Sequence, residues 1–403
     1  MKRIIFSLTL LSVLFAVTIP ALAKTPTGFE STVSTADLRE AYTTASIGEK
    51  VHILVVPGHE PMYGGAVYQG IYERELTVEI ADSLAKLLEQ NPRYEVTVAR
   101  TNDSWNGSLE RYFDRNMKSI KKFVDTQKKL MKKLVRKGDV EQRGDEEQVD
   151  HAAAPTDVAL RLYGINKWAN ENGVDLVLSL HINDAPDHGE NTPSAYAGFA
   201  AYVPDPQYGN AAPSRALAES IAARLSTMNA TSTLPGESVG VVEDQELIAI
   251  GAYGTLHVPS VLLEYGYITE PKFLHTEVRK TVTDDYAYQT YLGVQDFFKD
   301  PVTVKYSTRA LPRYFTETPG VGSSSPAVYS LQAGLHTLGF YPAATSTFAI
   351  ATHTPSLARC TISGLMDGCT IDAIKVFQKK HMLEQTGALG PKTRALLNSL
   401  IGI

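Results

Sequence analysis

Apolar and polar positions follow two periods along this chain. Val51 to Val56 (VHILVV) is an unbroken apolar run closed by Pro57-Gly58, which predicts a buried strand. From Glu73 to Leu88 the period lengthens, and Leu76, Ile80, Leu84 and Leu87/Leu88 share one face of a helix. Tyr94 to Arg100 (YEVTVAR) alternates as a strand does. Beyond it the pattern predicts a helix over 158–170, a strand over 174–180 (VDLVLSL) and a strand over 199–203. A helix over 214–228, a strand over 258–265 (VPSVLLEY) and a helix over 284–298 complete the series. Strands alternating with helices predict an α/β fold, a largely parallel or mixed sheet flanked by helices.

Four stretches stand outside that alternation. Lys2-Arg3, the apolar run Ile4 to Ile19 and Pro20-Ala21-Leu22-Ala23 read as a signal peptide over 1–23, removed after Ala23. The run has 16 residues, short of the roughly 20 that span a bilayer. Residues 24–50 are polar, with weak patterning, and read as a leader. An insert over 104–156 carries eleven Lys/Arg between Arg111 and Lys137, against Asp114 and Asp125 alone. Phe113, Met117, Ile120, Val124, Met131 and Leu134 recur there at helical spacing, so an amphipathic helix ending at Gly138 is expected. Residues 299–326, rich in Pro, Gly and Ser, have the composition of a linker. A small all-α unit is expected over 327–403.

Composition narrows the function. Hydrophobic residues make up 43% and charged residues 20% of the 403, which excludes a disordered or collagen-like chain. The net charge of −6 argues against a cationic nucleic-acid binder, so no nucleic-acid partner is expected. The basic stretch 111–137 is +9, which leaves −15 on the remainder. Two cysteines are too few for a disulfide scaffold or a Cys-rich zinc finger. Export would put Cys360 and Cys369 in an oxidising compartment where they can pair. A bridge closing so short a loop contributes about 2–3 kcal/mol.

Candidate chemistry gathers at strand ends. His59 lies three residues past Val56, Glu73 opens a helix, His181 directly follows the apolar strand, and Glu264 sits near the end of VPSVLLEY. The carboxyl ends of strands in open α/β sheets form the ligand crevice. Two imidazoles and one carboxylate are a common zinc set, and a second carboxylate could serve as base. Singly each residue has a structural explanation; a helix-opening Glu, for example, complements the dipole. A Glu inside VLLEYGY is harder to dismiss, because an unpaired buried carboxylate costs several kcal/mol.

The stretch VPGHEPMYGGAVYQGIYERELTVEIADSLAKLLE resembles the opening of the zinc-dependent N-acetylmuramoyl-L-alanine amidase family (amidase-3 type). LSLHIND resembles its Ser-x-His-x-Asn segment, and VPSVLLEYGYITEPKFL its closing segment. The likeness covers 51–298 apart from the insert. It implies an exported, periplasmic or wall-associated hydrolase of peptidoglycan, with Zn2+ held by His59, Glu73 and His181 and with Glu264 as catalytic base. The chain departs from the family's pattern at Val56 and Glu60, which flank Pro57-Gly58-His59, and at Gly266-Tyr267-Ile268-Thr269-Glu270. VYSLQAGLHTLGFYP and AIKVFQKKHMLEQTGALGPKTRALLNSL resemble the peptidoglycan-binding type 1 module, with a longer middle that holds the cysteine pair.

Other readings stay open. A wall carboxypeptidase or endopeptidase would use the same zinc set, and a non-catalytic wall-binding protein would keep the fold. No Gly-x-Ser-x-Gly elbow, P-loop or Rossmann fingerprint is present. The basic helix has three readings. It is a solvated insertion, a contact for anionic wall polymer or a membrane surface, or a lid over the zinc cleft. Under the last, the acidic run Asp145, Glu146, Glu147 and Asp150 with His151 would supply an inhibitory ligand.

Overall fold

A computed structural model describes residues 33–45, 50–144, 149, 154–185, 189, 191–300, 310–343 and 360–402. The expected signal peptide and the residues Asp145, Glu146, Glu147, Asp150 and His151 lie outside them. The elements run α1 (Thr35–Thr44), β1 (Val51–Pro57), β2 (Val67–Tyr68), β3 (Ile71–Tyr72), α2 (Glu73–Leu88) and β4 (Tyr94–Val98). The insert forms α3 (Gly107–Lys137), followed by α4 (Thr156–Glu171), β5 (Leu176–Asn183), β6 (Ala200–Pro204) and α5 (Ala211–Leu225). Then come β7 (Val241–Asp244), β8 (Ser260–Tyr267), α6 (Thr276–Phe298), α7 (Pro326–Thr337), α8 (Gly368–Lys380) and α9 (Pro391–Ile401).

Six strands form one mixed sheet in the order β4-β1-β5-β8-β6-β7. Neighbours are parallel except β6, which runs antiparallel to β8. Both faces are covered, which is why β1 is buried at every residue. Ile53 and Val55 join the core with α2, α5 and α6, whereas Leu54 and Val56 pack with α3 and α4. Among the described residues no helix is long and apolar enough to cross a membrane.

The α2 helix spans the predicted residues. The α6 helix begins at Thr276, eight residues before the expected start, because it is buried on nearly every side and shows no amphipathic stripe. Its polar residues Thr281, Asp285, Gln289, Thr290 and Gln295 are buried as well. The leader region also folds where the pattern predicts no element. The Ser34 side chain accepts from Asp37 N–H and Asp37 returns the bond, a capping box that starts α1. Tyr42 of α1 then stacks on Phe298 at 4.7 Å.

The α3 helix matches its prediction closely. Phe113, Ile120, Val124, Met131 and Leu134 are buried, and Gly138 ends the helix at φ 74°. It packs along α4, with Tyr163 and Trp168 in the shared core. None of its described contacts reaches His59, Glu73, His181 or Glu264, so the lid reading finds no support.

The C-terminal helices do not stand apart. Val328, Tyr329 and Leu331 of α7 belong to the same core as Val278, Val282 and Tyr286 of α6. The Pro/Gly/Ser-rich stretch also touches that unit, through Phe315. Phe315 is buried, and its backbone exchanges two hydrogen bonds with the Asn398 side chain. Cys360 and Cys369 form a disulfide.

Candidate metal centre

Parallel pairing of β5 and β8 sets His181 opposite Glu264, so both side chains emerge on one face at the carboxyl edge of the sheet. His181 is thus the sixth residue of β5, inside the strand that the sequence pattern ended one residue earlier. The chain leaving β1 turns over this edge, where Gly58 N–H donates to Leu180 O at 2.8 Å. His59 follows at φ 70°, a left-handed conformation costly for a residue with a Cβ. Glu73 opens α2 beneath it. His59, Glu73 and His181 each offer a ligand atom within 4.8 Å of the others.

Backbone groups aim the Glu73 carboxylate. Oε1 accepts from Ile182 N–H at 3.1 Å and Oε2 from Ala66 N–H at 2.8 Å. Oε1 also lies 3.1 Å from His181 Nδ1. His59 Nε2 is 2.8 Å from Glu73 Oε2 but lacks hydrogen-bond geometry and has no other partner. Two glycines make the approach possible. A Cβ on Gly58 would land on the His181 ring, and one on Gly65 would come within 2.9 Å of His59 Cδ2 and 3.1 Å of Glu73 Oε2.

Burial pulls the His59 imidazole down, but the Glu73 carboxylate outweighs it and leaves His59 above its usual value. Burial lowers His181, which Glu73 only partly offsets. Glu73 is pushed up by burial, yet the two imidazoles hold it well below the usual carboxylate range. Burial, reinforced by Glu73, Glu237 and Asp184, drives Glu264 well above that range. Its Oε2 is buried with no hydrogen-bond partner.

Periodicity did not single out Arg100. It is 1% exposed, and its guanidinium donates to the carbonyls of Pro57 (3.1 Å), Gly58 and Arg74 (2.9 Å). It therefore ties the strained turn at His59 to the start of α2. An arginine closing the alternating strand YEVTVAR was the available signal, since a buried guanidinium must find acceptors. A second network lies beside Glu264. Glu237 accepts from Asn183 (2.7 Å), Tyr202 (2.6 Å) and Tyr267 (2.6 Å).

Two departures from the family pattern acquire partners. Glu60 turns away from the cluster to accept from Arg161 Nε (2.6 Å) and Trp105 Nε1 (3.2 Å). Glu270 accepts from the N–H groups of Tyr267 (2.8 Å) and Gly198 (3.1 Å), and Lys272 neutralises it at 2.9 Å. Both carboxylates are used structurally and leave the proposed ligands unopposed.

The donor chemistry fits a zinc ion. Two imidazoles and a carboxylate converge, the His59 nitrogen lacks a hydrogen-bond partner, and a second carboxylate, Glu264, lines the same edge.

The sheet and cluster are those of an α/β protein with a candidate metal centre at the carboxyl edge of its strands. The family model for N-acetylmuramoyl-L-alanine amidase matches residues 53–296, and the chain belongs to that family. A second model, for a peptidoglycan binding domain, matches residues 324–397. The protein is therefore a peptidoglycan amidase joined to a peptidoglycan-binding module. No curated protein matches the chain. Among solved structures it is similar to the CwlD amidase from Clostridioides difficile in complex with the GerS lipoprotein. That match has 15% identity over 62% of this chain and 99% of the other, with a TM-score of 0.40. It is similar also to the amidase Ami1 from Mycobacterium smegmatis, at 16% identity, 62% and 99% coverage and a TM-score of 0.40. The catalytic domain of CwlV from Bacillus (Paenibacillus) polymyxa var. colistinus gives 16% identity, 62% and 99% coverage and a TM-score of 0.38.

Proposed function

We propose that this chain is exported and hydrolyses the amide between the lactyl group of N-acetylmuramate and the L-alanine of the stem peptide. His59, Glu73 and His181 would hold one zinc ion, and Glu264 would act as base. The convergence of those three ligand atoms at the sheet's carboxyl edge carries the reading. When bound, zinc would polarise the scissile carbonyl, acidify a water and, by its charge, favour the ionised form of Glu264.

The remaining roles belong to the chain itself. The N–H groups of Ala66 and Ile182 fix both Glu73 oxygens, so the carboxylate cannot rotate away from the imidazoles. Arg100 holds the His59 turn in place. Glu264 Oε2, buried and unpartnered, takes the proton of the attacking water and returns it to the departing alanine nitrogen. Met62 and Tyr63, exposed on the turn just after His59, offer apolar surface to the substrate. The C-terminal module would hold the enzyme on its polymer and raise the local concentration of scissile bonds.

Product analysis on purified peptidoglycan tests the reaction. The expected products are glycan strands free of peptide and peptides with a new L-alanine amino terminus. New amino termini at any other residue would make the enzyme a peptidase. Metal content of the purified protein tests the cofactor, with one zinc per chain expected and less than half that in His181→Ala.

A further inference from the structure

The α3 helix carries a charge distribution that the catalytic reading does not use. All eleven of its Lys and Arg side chains are exposed, and none pairs with a described carboxylate. At 3.6 residues per turn, Arg111, Arg115, Lys118, Lys122, Lys129, Lys133 and Arg136 fall within about 40° of the line opposite the buried face. They form one stripe roughly 38 Å long. Asp125 lies near the single gap in it. Lys121, Lys132 and Lys137 point to the sides of the rod, and Lys128 lies over the Tyr253 ring at 5.1 Å.

We propose that the outer face of α3 docks a flexible anionic polymer of the cell wall, laid along the helix toward the catalytic cleft. Three observations select that occupant. The match is one of charge, since the stretch 111–137 is +9 on a chain whose remainder is −15. A flat membrane touches only the stripe, whereas a flexible chain can also bend to the cations at the sides. No large exposed hydrophobic residue lies on α3, and its apolar face is buried against α4 and, toward its end, against Val140 and Tyr208, so nothing is left to insert into a bilayer. The helix also starts near the turn that carries His59, because Trp105, two residues ahead of α3, donates to Glu60, the residue after His59. That the polymer belongs to the wall rests on the proposed function; that it is a polyanion rests on α3 alone.

The test is sedimentation of the full-length protein with three probes. These are intact walls, walls stripped of anionic polymer by acid, and vesicles of equal phosphatidylglycerol and phosphatidylcholine. Wild type is expected to bind intact walls at least about tenfold more tightly than stripped walls, with a steep loss as salt rises. Lys118, Lys122, Lys129 and Lys133 all changed to Gln should abolish that gain and flatten the salt slope by roughly 3. Lys86→Gln with Lys280→Gln, at exposed positions on other helices, should leave the gain intact. Circular dichroism verifies that α3 persists, and Lys122→Glu with Lys129→Glu serves as a second variant. Equal binding of wild type to both walls overturns the proposal. So does an unchanged gain in the fourfold variant, or a gain that moves to the vesicles. Amide cleavage of stripped wall is read in the same samples, so failure of the proposed reaction shows independently of the binding result.

Discussion

The helices on the two faces of the sheet behave oppositely. On one face α6 is buried at 17 of its 23 residues and continues its core into α7 of the wall-binding module. On the other face α3 buries one stripe, against α4 and then against Val140 and Tyr208, and gives the rest of its circumference to solvent and charge. The contrast separates two uses of a helix. The α6 helix joins the two halves, and a change there should be felt in both. The α3 helix is supported on one side only, so its outer residues can change without cost to the fold.

The largest expected effect tests the edge that both faces support. Glu264→Gln should lower turnover by about 10²–10⁴ while zinc content stays unchanged. Gly58→Ala should lose zinc and activity together, since its methyl group would occupy the His181 ring position. Retained zinc in that variant would mean that the 57–59 turn is looser than described.

Next comes the seam. Tyr329, fully buried at the junction with α6, should cost about 3–5 kcal/mol when changed to Ala. Thermal unfolding should remain a single transition lowered for both halves. Two separate transitions would show that the halves are independent.

A smaller effect comes from Asp285 of α6. Burial raises its carboxyl to about 6, only partly opposed by its Gln289 hydrogen bond and by the charges of Arg313 and Lys272. A raised acid binds its proton more tightly when folded than when unfolded. Its contribution is therefore complete below about pH 4 and is lost as pH rises through 6. Asp285→Asn should stabilise the protein by roughly 2–3 kcal/mol at pH 7–8 and leave it nearly unchanged at pH 4, measured by urea unfolding. The smallest effect belongs to α3, where Lys122→Ala should move stability by less than about 0.5 kcal/mol.

The same contrast explains what the sequence made legible. Solvent marks α3 in the amino-acid order, since every apolar residue on its buried stripe is offset by cations elsewhere. Its end at Gly138 was readable to the residue. The start of α6 was not, because Thr281 and Asp285 look like surface residues while lying inside the core. The α1 helix was missed for a related reason, as its docking rests on little more than Leu38 and Tyr42. At the site, the types of His59, Glu73, His181 and Glu264 and their positions at the ends of strands or the start of a helix were legible. The left-handed turn at His59 and the Arg100 brace beneath it were not, since both depend on carbonyls that only folding brings together. Glu60 was legible only as a departure from the family's pattern, because Arg161 and Trp105, which take up its oxygens, lie far along the chain.

The core shared by α6 and α7 has a geometric consequence. A catalyst hung from its anchor by a loose string sweeps a sphere and cuts at whatever distance chance offers. One welded to its anchor works like a gauge, so once the module has gripped the mesh, the cleft meets only those bonds that lie at one set distance and bearing from the grip.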